Sequence, residues 1–178
     1  MNFYKELDFI NLDEIQKEAL KLIPDSNTKN LMGLFYFASV PEYLKIDKLR
    51  QYLEIVNELN NVLLIGTLFT APNVKGNLHR DNGPHIFSLN IPLLNCHNTF
   101  IEFFKTNSIP QKTKFKNSDQ GTYSKFDPEE CQLIFRKEVQ NPYIINTLVP
   151  HRVVNENNKT RIMLCIRLSR SNNLKIRS

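Results

Sequence analysis

No apolar run in this 178-residue sequence approaches the roughly 20 residues that a bilayer-spanning helix needs, so no membrane segment is expected. The opening MNFYKELDFI lacks the basic end and long apolar run of a signal peptide; acids stand there instead. Three cysteines, Cys96, Cys131 and Cys165, lie far apart without a C-x-x-C pair. That spacing argues against a disulfide framework and against a structural zinc site, and the three read as small buried hydrophobes. Internal repeats, low-complexity tracts and dividing linkers are also missing. These absences together describe a soluble, cytoplasmic protein, expected to form a single domain over residues 1–178.

What is present has an ordinary balance, 41% hydrophobic and 23% charged, enough to bury a core without staples. The net charge of +5 raises nucleic acid as an anionic partner. However, Lys, Asn and Ile are all over-used, a bias that an AT-rich genome produces without any binding role. The basic residues are also scattered among acids, except around Lys105 to Lys125. Charge alone selects no partner.

Two segments carry helical periodicity. In Asn11 to Pro24, Leu12, Ile15, Ala19, Leu22 and Ile23 recur at helical spacing and Pro24 stops the run. In Ile46 to Leu59, Leu49, Tyr52, Leu53, Val56 and Leu59 form an apolar stripe behind a candidate N-cap, Asp47. The remainder reads as short strands: GLFYFAS, VLLIGTLFT, IFSLNIPLL, TFIEFF, CQLIFRKEV, YIINTLV, HRVVN and RIMLCIRL, each bounded by Pro, Gly, Asn or Asp. The expected fold is mainly β with N-terminal helices, a helical buttress over approximately residues 1–60 and an antiparallel sandwich or jelly roll over approximately 61–170. The second half lacks the crossover helices of a parallel sheet. Lys105 to Glu130, polar and lysine-rich, reads as a lid or a disordered loop.

In GNLHRDNGPHIFSLNIPL, His79 precedes Asp81 by two positions. On an extended strand both side chains leave the same face, about 7 Å apart at the backbone, and can converge on one ion. Alone, the triplet is as well explained by a turn histidine and a capping aspartate. The stretch VPHRVVNENNKTRIMLCIRL adds His151 and Arg161. A hairpin loop over residues 155–159 would place His151, Val153, Arg161 and Met163 on one face, with Arg161 about 7 Å along the sheet from His151. Two histidines and one carboxylate make the facial triad of non-haem Fe(II) oxygenases. A 2-oxo diacid chelating such a metal needs a fixed cation at its far carboxylate, and arginine's planar fork suits that task.

On His79-x-Asp81, His151 and Arg161 the sequence resembles the Fe(II)/2-oxoglutarate-dependent oxygenases. PHRVVNENNKTRIMLCIRL is especially similar to their aspartyl/asparaginyl β-hydroxylase-like branch, and the resemblance spans roughly Val62 to Leu168. It implies a double-stranded β-helix, the jelly-roll, cupin-like core. It implies iron held by His79, Asp81 and His151 as the catalytic centre, with Arg161 on the distal carboxylate of 2-oxoglutarate. Further co-substrate contacts would come from Ser88 and Asn90, which share a strand face opposite Phe87, Leu89 and Ile91; the branch often carries basic or imidazole side chains at these positions. The implied cofactors are Fe(II), 2-oxoglutarate as co-substrate and O2. The implied reaction is hydroxylation of an amino acid, small metabolite or peptide residue, releasing succinate and CO2.

Other readings stay beside this one. An alkylation-repair (AlkB-type) oxygenase acting on nucleic acid shares the R-x5-R spacing of Arg161 and Arg167, but has a longer gap after the last histidine and a tyrosine before H-x-D. A non-catalytic jelly-roll binding module would keep the residues without using iron. A cupin-type enzyme would need a cluster of histidines with a glutamate, which is absent. A zinc site from His79, His85 and His97 leaves His151 and Arg161 unexplained. By itself His85 reads as a solvated or core-edge histidine, His97 as a turn residue, and Arg167 as a side chain snorkelling from a strand end into water.

Overall fold

Period-two alternation dominates the chain after residue 61, and the computed structural model folds it into antiparallel strands throughout. The structure describes residues 3–23, 35–36, 40–114 and 122–169. In chain order the elements are β1 (Tyr4–Glu6), α1 (Leu12–Lys21), β2 (Phe35–Tyr36), α2 (Val40–Tyr43), α3 (Asp47–Ile55), β3 (Val62–Thr70), β4 (Val74–Lys75), β5 (His79–Asp81) and β6 (Phe87–Leu94). They continue with β7 (Thr99–Thr106), β8 (Gln111–Lys114), β9 (Thr122–Lys125), β10 (Cys131–Glu138), β11 (Tyr143–Asn146), β12 (His151–Asn155) and β13 (Arg161–Leu168).

A six-stranded sheet runs β1-β11-β6-β13-β3-β2. A seven-stranded sheet runs β10-β7-β12-β5-β9-β8, with β4 added alongside β12. Both faces of the six-stranded sheet are covered, and each carries apolar side chains. Ile65, Phe69, Leu89, Ile91, Leu164 and Ile166 on its outer face pack with Ile15 and Ala19 of α1 and Leu49 and Leu53 of α3. On its inner face Tyr143, Ile145, Met163 and Cys165 meet Ile101, Phe103 and Val153 of the other sheet. This two-sheet, mostly β arrangement is jelly-roll-like. Among the described residues no helix is long and apolar enough to cross a membrane.

Several local expectations change. Asp47 is the first residue of α3 rather than its cap; Ile46 holds the N-cap position without a side-chain bond, and Asp47 accepts from Arg50 at 3.1 Å. Pro24 and residues 33, 34 and 37–39 of the expected first strand lie outside the described residues. The lysine-rich stretch after Lys105 is not an unstructured loop in its described part: it supplies β8 and β9, and β9 pairs with β5. Residues 115–121 within it lie outside the described residues.

The largest correction concerns residues 155–159. They do not close a hairpin, because β12 pairs with β7, β5 and β4 while β13 pairs with β3 and β6 in the other sheet. The loop is an arch between the two sheets. Its asparagines hold it from within: Asn155 Nδ2 donates to the Thr70, Ala71 and Lys159 carbonyls at 2.9–3.0 Å. Asn157 Nδ2 donates to His97 Nε2 at 2.9 Å, which gives His97 a bracing place far from the zinc cluster considered above. Both asparagines are buried, so what reads as a solvated polar turn is an internal hydrogen-bond plug.

Candidate active site

Gly76 lets the chain run close against β12: a Cβ there would stand 3.0 Å from the Val153 carbonyl oxygen. Three residues later His79 comes into register opposite His151 on β12, and the two imidazole centroids are 4.7 Å apart. Each ring is oriented from behind. The carbonyls of Asn77 and Val149 accept from the Nδ1 atoms of His79 and His151, both at 2.8 Å. A carbonyl can only accept, so Nδ1 carries a proton in both rings, which leaves Nε2 as the nitrogen that can act as a ligand. Burial, and then the neighbouring His79, push His151 down from 6.5 to about 4, against the opposing pull of Asp81. His151 is therefore neutral, as a metal ligand must be.

Asp81 is 1% exposed. Its Oδ2 accepts from Arg167 Nη1 at 2.9 Å and from His85 Nε2 at 3.0 Å. Its Oδ1 lies 3.6 Å from His79 Nε2 and has no hydrogen-bond partner. Burial alone would raise the carboxyl, but Arg167, the His85 hydrogen bond and the nearby His79 and His151 outweigh it and hold Asp81 well below the usual carboxylate range.

Among the described residues no three His, Cys, Asp or Glu side chains already stand in ion-binding geometry. The donors nevertheless fit a metal. Two ligands each about 2.1 Å from an ion and roughly at right angles are about 3 Å apart, close to the His79–Asp81 separation. The orphaned Oδ1 is a buried acceptor with nothing to accept from, which a cation would satisfy.

Arg161 projects from β13 of the opposite sheet and is 0% exposed. It donates Nη1 to Thr70 Oγ1 at 3.4 Å and Nη2 to Tyr143 Oη at 3.3 Å, both long. Its Nε has no partner, and no acid answers it among the described residues. Burial pushes the Tyr143 phenol up to about 12, against the opposing effect of Arg161. Thr70 and Tyr143 use lone pairs on Arg161, which leaves their hydroxyl hydrogens for an anion.

His79, Asp81, His151 and Arg161 thus belong to one interior, though to two sheets. Ser88 and Asn90 share the inner face of the six-stranded sheet, opposite Arg167 and Cys165 on β13. They bond chiefly to each other: Ser88 Oγ donates to Asn90 Oδ1 at 3.0 Å, and Asn90 Nδ2 donates to the Ser88 carbonyl at 2.9 Å. Arg167 does not snorkel, and His85 is not merely solvated; both hold Asp81. Their inward parity and their spacing from Arg161 and Asp81 were the available signals. Thr70, Tyr143 and Tyr123, whose ring lies 5.5 Å from that of His79, had none, because strand order alone brings them in.

No protein-family model matches the chain, and no curated protein sequence matches it. Among solved structures the chain resembles AviO1 from Streptomyces viridochromogenes Tue57, at 13% identity over 93% of this chain and 89% of that chain, with a TM-score of 0.50. Two others are a Pseudomonas putida prolyl-4-hydroxylase (11% identity, 97% and 90% covered, TM-score 0.45) and E. coli ycfD (13% identity, 96% and 51% covered, TM-score 0.47). The likeness to AviO1 concerns the fold alone.

Proposed function

We propose that this chain is an Fe(II)- and 2-oxoglutarate-dependent oxygenase, a single domain built on a double-stranded β-helix, that hydroxylates an amino acid, small metabolite or peptide residue. The observation that carries the reading is Arg161, a fully buried guanidinium without an acid among the described residues, in the same interior as a histidine–aspartate–histidine set. Burying such a cation is costly, and an anion supplied from outside would offset that cost.

In this reading His79 and His151 offer Nε2 and Asp81 offers Oδ1 to the metal. Arg161, with the hydroxyls of Thr70 and Tyr143, binds the distal carboxylate of the co-substrate through charge-assisted hydrogen bonds. Asn90 uses one of its two amide hydrogens on Ser88 and keeps the other for a carboxylate in the same space. When bound, Fe(II) and 2-oxoglutarate would supply the oxidising chemistry, coupling O2 reduction to decarboxylation of the 2-oxo acid. The chain's own part is to orient these groups and to keep water away through Phe103, Met163 and Ile101.

Anaerobic titration with Fe(II) and 2-oxoglutarate tests the assignment. The parent is expected to show the visible charge-transfer band of the chelated 2-oxo acid, weakened in Arg161→Ala and Asp81→Ala. A folded, iron-exposed parent without the band would sink the oxygenase reading in favour of a non-catalytic binding module.

A further inference from the structure

A carboxylate on a strand can rotate, offering a metal one oxygen, two or none. Asp81 is prevented from doing so by two donors on its far oxygen, from separate parts of the fold. Arg167 reaches Oδ2 from β13, across the interior from β5. His85 reaches the same oxygen from the connection between β5 and β6.

That connection is itself anchored. Asp81 N donates to the Thr147 carbonyl, Thr147 N to the Ile86 carbonyl and Ile86 N to the Leu168 carbonyl, at 2.9–3.0 Å. The His85 ring is seated by a missing side chain: a Cβ at Gly83 would stand 2.7 Å from its Cε1 and 2.8 Å from its Nδ1. Any larger residue there must push the ring away.

We propose that Arg167 and His85, with Gly83 as the seat of the histidine ring, form a clamp that fixes Asp81 by Oδ2 and presents Oδ1 alone to the metal. The proposal rests on the reading that His79, Asp81 and His151 hold a metal. Arg167 and His85 are positioning residues: they act through Asp81. The clamp leaves Asp81 as a one-oxygen ligand, so the remaining metal positions stay available to co-substrate and oxygen. It also ties the two sheets at the site, so the ligand geometry depends on their packing.

Co(II) is a suitable probe, because its visible spectrum reports ligand geometry without turnover. Dissociation constants would be measured for the metal-free parent and for Gly83→Ala, His85→Phe, Arg167→Met and Arg167→Lys. His151→Ala removes a ligand, and Arg80→Met, on the outward face of β5, is a surface control. His85→Phe and Arg167→Met are expected to bind about 10–100-fold more weakly, with Arg167→Lys between them and the parent. Gly83→Ala is the sharpest arm, since it keeps every donor and both charges yet displaces the ring; it too should bind weakly and alter the spectrum. Should Arg167→Met not fold, Gly83→Ala and His85→Phe decide. Folded variants that bind within about twofold of the parent, with its spectrum, would overturn the clamp. If instead the parent binds no more tightly than His151→Ala, the metal reading itself fails and the clamp falls with it.

Discussion

At one end of the interior, buried Asp81 is answered by Arg167 and His85; at the other, buried Arg161 is answered by the hydroxyls of Thr70 and Tyr143 and by the Cys96 thiol, with no acid among the described residues. The aspartate is electrically balanced by its own chain except at Oδ1, where a small cation fits. No acid among the described residues balances the arginine. Desolvating either charge is expensive, so each arrangement indicates what must arrive. In the proposed reading the first end shares an ion and the second receives a whole anion. In that reading a metal at Oδ1 and a dicarboxylate at Arg161 would complete the two arrangements.

Mutating the two ends should therefore move stability in opposite directions. The largest effect is expected from Asp81→Ala in the metal-free protein. It withdraws the carboxylate facing buried Arg167, and urea unfolding should show a loss of about 3–5 kcal/mol. No loss would mean that Arg167 is satisfied equally well by its other surroundings.

Acid should probe the same end. His151 is depressed from 6.5 to about 4, so between those values the unfolded chain binds a proton that the folded chain refuses. Stability is complete above about pH 6.5 and falls as the pH drops through 4, by about 3 kcal/mol in all. Asp81, also depressed, adds in the same sense, but only as the pH falls below the ordinary carboxylate range. Unfolding curves at pH 7 and pH 5 check this window, and equal stabilities would contradict a neutral, buried His151.

The smallest effect, and the one of opposite sign, belongs to Arg161→Met. Removing a buried cation without an anion should raise the unfolding free energy by roughly 1–3 kcal/mol. The same change should abolish the rise in Tm expected when 2-oxoglutarate is added to the parent. A destabilised variant would show that Thr70 and Tyr143 already satisfy the guanidinium.

Much of this was legible in the chain. Strands over residues 62–70, 151–155 and 161–168 follow from β-branched and aromatic runs between turn residues. The alternation also separated Ser88 and Asn90 from Leu89 and Ile91, which now face opposite sides of one sheet. Short polar strands were harder: β8 and β9 carry Gln, Lys and Thr and pair with each other, and β9 is held by β5, a partner some 40 residues away in sequence. Polarity concealed them because their stability comes from a neighbour rather than from their own apolar face.

By itself the sequence determined the chemistry available: one imidazole and one carboxylate two residues apart, a second imidazole at a strand start, and arginines at matching parity on the last strand. Period two is a local property of the backbone, so side chains that share a strand face can be read without knowing the fold. Whether residues 155–159 turn back as a hairpin or cross as an arch is not local. It depends on which distant strands β12 and β13 pair with, and the buried asparagine network settles it only once both sheets exist. Tertiary structure alone therefore decided that Arg161 stands on the sheet opposite the one that carries the histidines, rather than beside them on one sheet. It also decided that Arg167 reaches Asp81, because that contact joins strands of different sheets that do not pair through their backbones.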